Sequence, residues 1–371
     1  MNIDAFRKIE EQAFYALAGL LGLVVLIGLG AAHYMETHGH VVTGMNNQIV
    51  WGLPHVFAVF LIVAASGVLN VASIGSVFGK PIYKARAPLS GLLAIALLAG
   101  GLTVLMLDLG RPDRLIVAMT HFNFKSIFAL NVILYTGFFA IVAVYIWTMM
   151  ERKMYGYSKY AGFSAFIWRL ALTTATGSIF GFLVARQAYS SAILAPMFII
   201  MSFSYGLAVF IVVQSFMYTW NGLTLDAAIQ RRMKNLLATF VGAVLYFTIV
   251  YHMTNLYFAK QVAFERFILL DGGIFTSLFW IGQILLGTLI PIGLLLHPTL
   301  GTKSKTVLLA ALLVILGAFA QLYVVIIGGQ AFPLQLFPGF QEASTFFDGQ
   351  IHHYNPSLPE FLLGVGGLGI A

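Results

Sequence analysis

Ionisable side chains stand at the margins of long apolar runs in this chain, where such groups are costly and usually functional. His55 follows Trp51-Gly52-Leu53-Pro54 and opens one run. Asp108 closes another and is followed by Leu109-Gly110-Arg111-Pro112-Asp113-Arg114. A carboxylate beside an imidazole orients the ring and stabilises its protonated form, so His55 and Asp108 make a pair suited to taking up protons. Arg111, three residues beyond Asp108, would lie one turn away and tune its charge if the helix continued through Gly110. His33, Arg114, His121, Arg186, Tyr189, His252, Asn255 and Asp271 stand near the ends of other apolar runs and widen the set of polar candidates. Each also has a plainer reading. A histidine caps a carbonyl, Arg186 reaches to phosphates, and Arg111 closes a helix by pairing with Asp108 or Asp113.

Other chemistries have less support. The chain has no cysteine, which excludes a disulfide, a thiolate metal site and an iron–sulfur cluster ligated by this chain. His38-Gly39-His40 and His352-His353 are weak metal signals, and no metal site is expected. No histidine lies in the middle of an apolar run, and His297 has no partner on its side, so no haem is expected either. Walker and Rossmann patterns are missing, which leaves nucleotide-driven transport unsupported.

The elements that must position these residues are membrane helices. Of 371 residues, 60% are hydrophobic and 9% charged, with a mean hydropathy of +0.91. Soluble domains carry about 25% charged residues, so a water-soluble or disordered chain is ruled out. The net charge of +7 could point to nucleic acid, but in so apolar a chain basic loops are the commoner cause, and no nucleic acid is expected. Apolar runs predict spans over 14–32, 51–74, 90–108, 126–148, 166–184, 194–219, 236–258, 273–296 and 306–328. A tenth starts at Glu360. Twelve residues of helix cover only about 18 Å, so this span is expected to need further residues to finish the crossing. The fold class read here is an all-α integral membrane protein of about ten transmembrane helices, forming one polytopic domain over 1–371. The leader Asp4-Ala5-Phe6-Arg7-Lys8-Ile9-Glu10-Glu11 is mixed in charge, and the run after it is too long for a cleaved signal.

Orientation follows from Lys and Arg. With the N-terminus inside, fourteen of the twenty, Arg169 among them, fall on the inner side, which favours a cytoplasmic N-terminus. Helix parity then sets eight of the nine histidines on the outer side, with His55 and Asp108. The outer loop 329–359 has no Lys or Arg and is rich in Phe and Pro. It is expected to pack over the helices or against another subunit, with Phe340 and Phe347 at the contact. Intramembrane polar residues such as Ser66, Asn70, Asn131, Tyr135 and Thr176 read mainly as interhelical hydrogen-bonding groups.

Three segments carry a resemblance: Trp51-Gly52-Leu53-Pro54-His55-Val56-Phe57, Gly67-Val68-Leu69-Asn70-Val71-Ala72-Ser73, and Leu107-Asp108-Leu109-Gly110-Arg111-Pro112-Asp113-Arg114. They resemble the NrfD/PsrC family, the membrane subunits of polysulfide-reductase-like complexes. The stretch from Gly328-Gly329-Gln330-Ala331-Phe332-Pro333 to Pro359-Glu360-Phe361 looks closest to the DsrP branch, which belongs to a complex of dissimilatory sulfur metabolism. The resemblance implies two four-helix bundles, helices two to five and six to nine, related as an inverted repeat. It implies a quinone (menaquinone or ubiquinone) on the outer side, with His55 and Asp108 as its ligands and Arg111 beside them. It also implies partners: a periplasmic ferredoxin-like iron–sulfur subunit, a multihaem cytochrome c, and a haem b membrane subunit with its iron–sulfur companion. The location implied is the cytoplasmic membrane of a bacterium or archaeon. Two other readings stay open: a secondary transporter or proton channel, and a haem b quinol oxidoreductase subunit. A transporter would place charges at mid-membrane in broken helices, whereas the charges here gather at one edge.

Overall fold

The computed structural model describes residues 3–334 and 349–371, so Phe340 and Phe347 lie outside the described residues. The described residues form helices and no strands. Ten helices carry the architecture: α1 (Ile3–His38), α2 (Leu53–Ser76), α3 (Ala87–Leu107), α4 (Ile127–Met150), α5 (Ser158–Gly181), α6 (Leu194–Trp220), α7 (Ala227–Tyr257), α8 (Ile274–Leu296), α9 (Ser304–Ala331) and α10 (Leu358–Ile370). Among the described residues, eight are long and apolar enough to cross a membrane. The remaining two are α5, which is 24 residues long but more polar, and α10, with 13 residues.

Several starts are fixed locally. The Ser126 side chain accepts from the Ala129 N–H at the head of α4, and that of Asp226 accepts from Ala228 at the head of α7. Ser357 and Glu360 form a reciprocal capping box at the head of α10. Pro54 and Pro88 sit in the first turns of α2 and α3, where a missing N–H costs nothing. α3 ends at Leu107, earlier than a helix continuing through Gly110 requires. A short helix over Leu115–Thr120 follows the turn.

Helices α2, α3, α4 and α5 pack in a closed ring, and α6, α7, α8 and α9 pack in a second. The rings meet where α2 lies against α6 and α9, and where α5 lies against α6. α1 pairs with α10, and that pair leans on α2 and α3. α2 is therefore covered on every side, and 20 of its 24 residues are buried. Its crossing with α6 is a backbone contact: a Cβ placed on Gly67 would come 1.6 Å from the Ser202 carbonyl oxygen, and one on Gly206 would come 2.2 Å from the Gly67 backbone. Such close approach of small residues is what holds helices together where lipid removes the hydrophobic drive.

One expectation needs correcting. Arg169, counted above among the inner-side charges, is the twelfth residue of α5 and is fully buried. Its guanidinium donates to Asn70 Oδ1 at 2.7 Å and lies 4.8 Å and 5.1 Å from the ring centres of Phe166 and Phe203. A cation spread over two aromatic faces and an amide is tolerable inside a bundle, which a count of positive charges by loop does not register.

Replacing Gly206 by leucine should drive α2 and α6 apart. Overpacking of this kind costs on the order of 1–3 kcal/mol or more. The variant is expected to melt well below the parent in a thermal unfolding scan in detergent, while Gly242→Leu, at a glycine with open space around it, should not.

Candidate functional site

The first ring encloses a cavity of about 600 Å³ near the histidine-rich end. Its walls are almost wholly apolar, from Val59 and Ile62 on α2 through Leu102 and Leu105 on α3 to Phe139 on α4. A few polar groups break that lining: His55 and Trp51 at one end, with Asn131, Tyr135, Thr136 and Thr176 on α4 and α5. A mostly apolar cavity of this size with a few convergent polar groups is the usual form of a small-molecule site.

Among the described residues, His55 is the only imidazole on that wall. Its Nδ1 lies 2.7 Å from Asp108 Oδ2, close but off the line of an ideal hydrogen bond. The Asp108 side chain is fully buried and that of His55 is 14% exposed. The carboxylate thus takes the Nδ1 side of a ring that lines the cavity. The backbone carbonyl of Asp108 is held by His40 Nε2 at 3.0 Å. Trp51 stacks on His55 with ring centres 6.0 Å apart, and its far side meets Phe180 and Tyr189.

Residues far along the chain hold this end in place. Gln330 is fully buried, and its Oε1 accepts from the N–H groups of Val50 and Trp51, both at 3.0 Å. Its Nε2 donates to the carbonyls of Trp51 and Ile326. Arg186 donates to the carbonyls of Gln330 and Gln48 at 3.0 Å and 2.7 Å. The Tyr354 hydroxyl accepts from Leu53 N–H at the head of α2 and donates to Glu360 Oε1 at 2.7 Å. Burial and the neighbouring Glu360 carboxylate push the Tyr354 phenol up, so it remains a donor. The second Glu360 oxygen accepts from Gly44 and Ser357.

A second acidic–imidazole pair stands at the same end in the second ring. His252 Nδ1 lies 2.6 Å from Glu265 Oε2, and Asn255 donates to Glu265 Oε1 at 2.6 Å. The adjoining cavity, between Thr248, Gln283 and Gln321, holds about 20 Å³, the room of a single water. The two rings therefore share a motif and differ in the space beside it.

The candidates read from sequence divide accordingly. His55 and Asp108 meet each other at the large cavity. Tyr189 is buried behind Trp51, its hydroxyl donating to the Ile326 carbonyl at 2.6 Å, and Arg186 braces the roof. His252 and Asn255 belong to the second cluster. Arg111 is corrected: the chain turns after Leu107, and the guanidinium forms a two-pronged contact with Asp113 at 3.0 Å, the side chains 64% and 60% exposed. It does not reach Asp108, so neither tuning nor closure of the helix by an Asp108–Arg111 pair takes place. Asp271 pairs with Arg266 at 2.8 Å on the surface. His33, Arg114 and His121 are exposed and line neither cavity.

Glu265, Gln330, Tyr354 and Glu360 were not among the candidates. Glu265 sits in the short segment Val262–Arg266 and reads as a solvated loop acid, and its burial depends on Asn255 and His252, one turn apart on α7. Gln330 sits within an apolar stretch, and that buried amide was the available signal.

An all-helical membrane protein with a large apolar cavity and a carboxylate-backed imidazole on its wall is the class these features define. The chain belongs to the family described as polysulphide reductase, NrfD, whose model matches residues 41–334. It is 28% identical over 364 residues to the Hdr-like menaquinol oxidoreductase integral membrane subunit of Archaeoglobus fulgidus, covering 97% of this chain and 91% of that one. It is 26% identical over 391 residues to a membrane subunit of Halobacterium salinarum named for a putative dimethyl sulfoxide reductase, covering 95% and 87%. It is 22% identical over 397 residues to a selenate reductase subunit of Mesobacillus selenatarsenatis, covering 95% and 90%.

Gln330→Leu keeps the volume but leaves the Trp51 N–H and carbonyl unpaired. Each buried group so orphaned costs about 1–3 kcal/mol. The variant should unfold at a markedly lower temperature than the parent in a thermal scan in detergent. Unchanged melting would show that the roof does not depend on this amide.

Proposed function

We propose that this chain is the quinone-reactive membrane subunit of a multi-subunit oxidoreductase, exchanging electrons between the membrane quinone pool and a partner subunit. The observation that carries the reading is the His55–Asp108 pair on the wall of the 600 Å³ apolar cavity. The ring and isoprenoid tail of a membrane quinone partition into such a space, and the relative named as a menaquinol oxidoreductase subunit supports that class of ligand. We favour the cavity of the first ring over the second, which has room only for water.

Oxidation of a quinol releases two electrons and two protons. On this reading His55 Nε2 accepts one proton from a hydroxyl placed against it, and the second proton leaves to water at the outer end of the cavity. Asp108 stabilises the resulting imidazolium from behind, with no need to contact the ligand. In the reverse direction the same imidazolium donates. Trp51 fixes the face of His55 and leaves its tilt little freedom. Asn131 and Thr176, hydrogen-bonded to each other, are polar points further along the cavity for the second oxygen of a ring. On this reading the electrons leave to a centre in a partner, and an iron–sulfur cluster there would be the partner's, since this chain has no cysteine to ligate one. The partner we propose is a ferredoxin-like iron–sulfur protein at the histidine-rich end, which the excess of Lys and Arg at the opposite end makes the outer face. On the DsrP-like reading a multihaem cytochrome c and a haem b membrane protein join the assembly, in a pathway of sulfur metabolism.

Asp108→Asn tests the reading. The amide keeps the shape but cannot stabilise an imidazolium. Assembled complex carrying it should turn over quinol roughly 10²-fold more slowly, as the loss of a general base allows. His55→Ala should lose as much, and the double variant little more than either alone. Full quinol activity in the assembled double variant would remove the pair from the site. A drop in yield with normal turnover in the surviving complex would make Asp108 a structural residue.

A further inference from the structure

A second large cavity, of about 590 Å³, lies at the lysine-rich end of the first ring. It is bounded by the end of α2 and the turn after it (Ser76 to Gly79), by Lys84 and the start of α3, by Met149 at the end of α4, and by Tyr155 to Lys159 at the start of α5. It is nearly as large as the cavity at the opposite end, but its chemistry differs. Two lysines, Lys84 and Lys159, share it with the side chains of Ser76, Tyr155 and Ser158. Among the described residues no Asp or Glu lines it, and neither lysine has an ion-pair partner. The nearest acid in the chain, Glu151, is exposed and turned to the Lys153 N–H. Lys80, Arg152 and Lys153 add positive charge nearby in the chain. The floor is fixed, since the Ser76 hydroxyl is hydrogen-bonded to the Ala72 carbonyl and to Tyr145.

The position of the cavity identifies what it can take. It sits at the level where four helices of the ring begin or end, and exposed aromatics surround that level: Phe78, Tyr155, Tyr157 and Tyr160. Exposed Tyr and Phe at helix ends mark the boundary between headgroups and hydrocarbon. The wall is two-sided. Val77, Phe78, Pro88 and Met149 are apolar, while the two ammonium groups and the hydroxyls are polar. A phosphate carried on an apolar body satisfies both sides, whereas a fully hydrated anion has no use for the apolar one. Basic pockets between helix ends are a recurrent form of headgroup site. We infer that this cavity binds the phosphate headgroup of an anionic phospholipid, held between Lys84 and Lys159. The inference is independent of the quinone reading, whose cavity lies at the other end.

Native mass spectrometry of the full chain in detergent tests it, with phosphatidylglycerol, phosphatidylcholine of matched chains, and inorganic phosphate as probes. Phosphatidylglycerol is expected to be retained over phosphatidylcholine, and Lys84→Ala with Lys159→Ala should lower its affinity by roughly 30-fold, two surface lysines' worth of attraction. Lys84→Arg with Lys159→Arg should restore retention, which separates lost charge from lost fold. Equal retention of the two lipids, or a charge-free double variant that binds as the parent does, would overturn the site. Lysine-dependent binding of inorganic phosphate with no preference for the anionic lipid would overturn the lipid as its source.

Discussion

A carboxylate with no exposed surface in a membrane protein has to be met by a counter-charge or a hydrogen-bond donor, or it will not stay ionised. Asp108 is that group here, and the histidine-rich end is organised around it. His55 Nδ1 stands 2.7 Å from its Oδ2, His40 holds the Asp108 carbonyl, and α3 stops at Leu107, one residue before it. Asp108 takes the Nδ1 side of His55, and the residue lines the cavity. Because Trp51 stacks on His55, the backbone of Trp51 must be fixed, and Gln330 does this from the last turn of α9. The bracing groups around the pair, Gln330, Arg186, Tyr354 and Glu360, are hydrogen-bonded to backbone or to one another. That is what allows it to border an apolar space without collapsing into it.

The two rings show what a cavity requires besides a buried acid. Glu265 is as buried as Asp108, and its imidazole is as close. In the second ring Phe279 packs on His252 with ring centres 4.7 Å apart, and Phe264 and Ile268 border the same small void. Those side chains occupy the volume that the first ring leaves open. The same acid–imidazole arrangement therefore borders a large cavity in one ring and a water-sized one in the other.

Much of this was legible in the residues. Apolar runs located every long helix, because a bilayer demands about 20 apolar residues and little else has that signature, but the more polar first turns of α1, α5 and α7 lie well before the predicted starts. His55 and Asp108 stood out because each is an ionisable group at the margin of such a run. Arg111 was misjudged because its role depended on the helix passing Gly110, and α3 stops three residues earlier. Glu265, Gln330 and Glu360 were not legible as site residues. Their defining partners, His252 and Asn255 for Glu265, Trp51 for Gln330 and Gly44 for Glu360, lie 10 to 316 positions away, and the local pattern does not encode such meetings. Arg169 illustrates the same limit: its neutral-looking partner Asn70 and two phenylalanines make it a helix-interior residue only once α2, α5 and α6 are packed.

The roof over the site also has a temporal meaning. Trp51, His55 and Asp108 are made in the first third of the chain, yet the groups that fix Trp51 and the head of α2 are Gln330, Tyr354 and Glu360. During synthesis the first ring can insert and close around its cavity while those groups are still unmade. For that interval the N–H groups of Val50, Trp51 and Leu53 have only water or lipid headgroups as partners. The pocket is thus finished from the far end of the polypeptide, and a ribosome that stalls before Gln330 leaves a membrane-inserted product whose imidazole has its acid but not its frame.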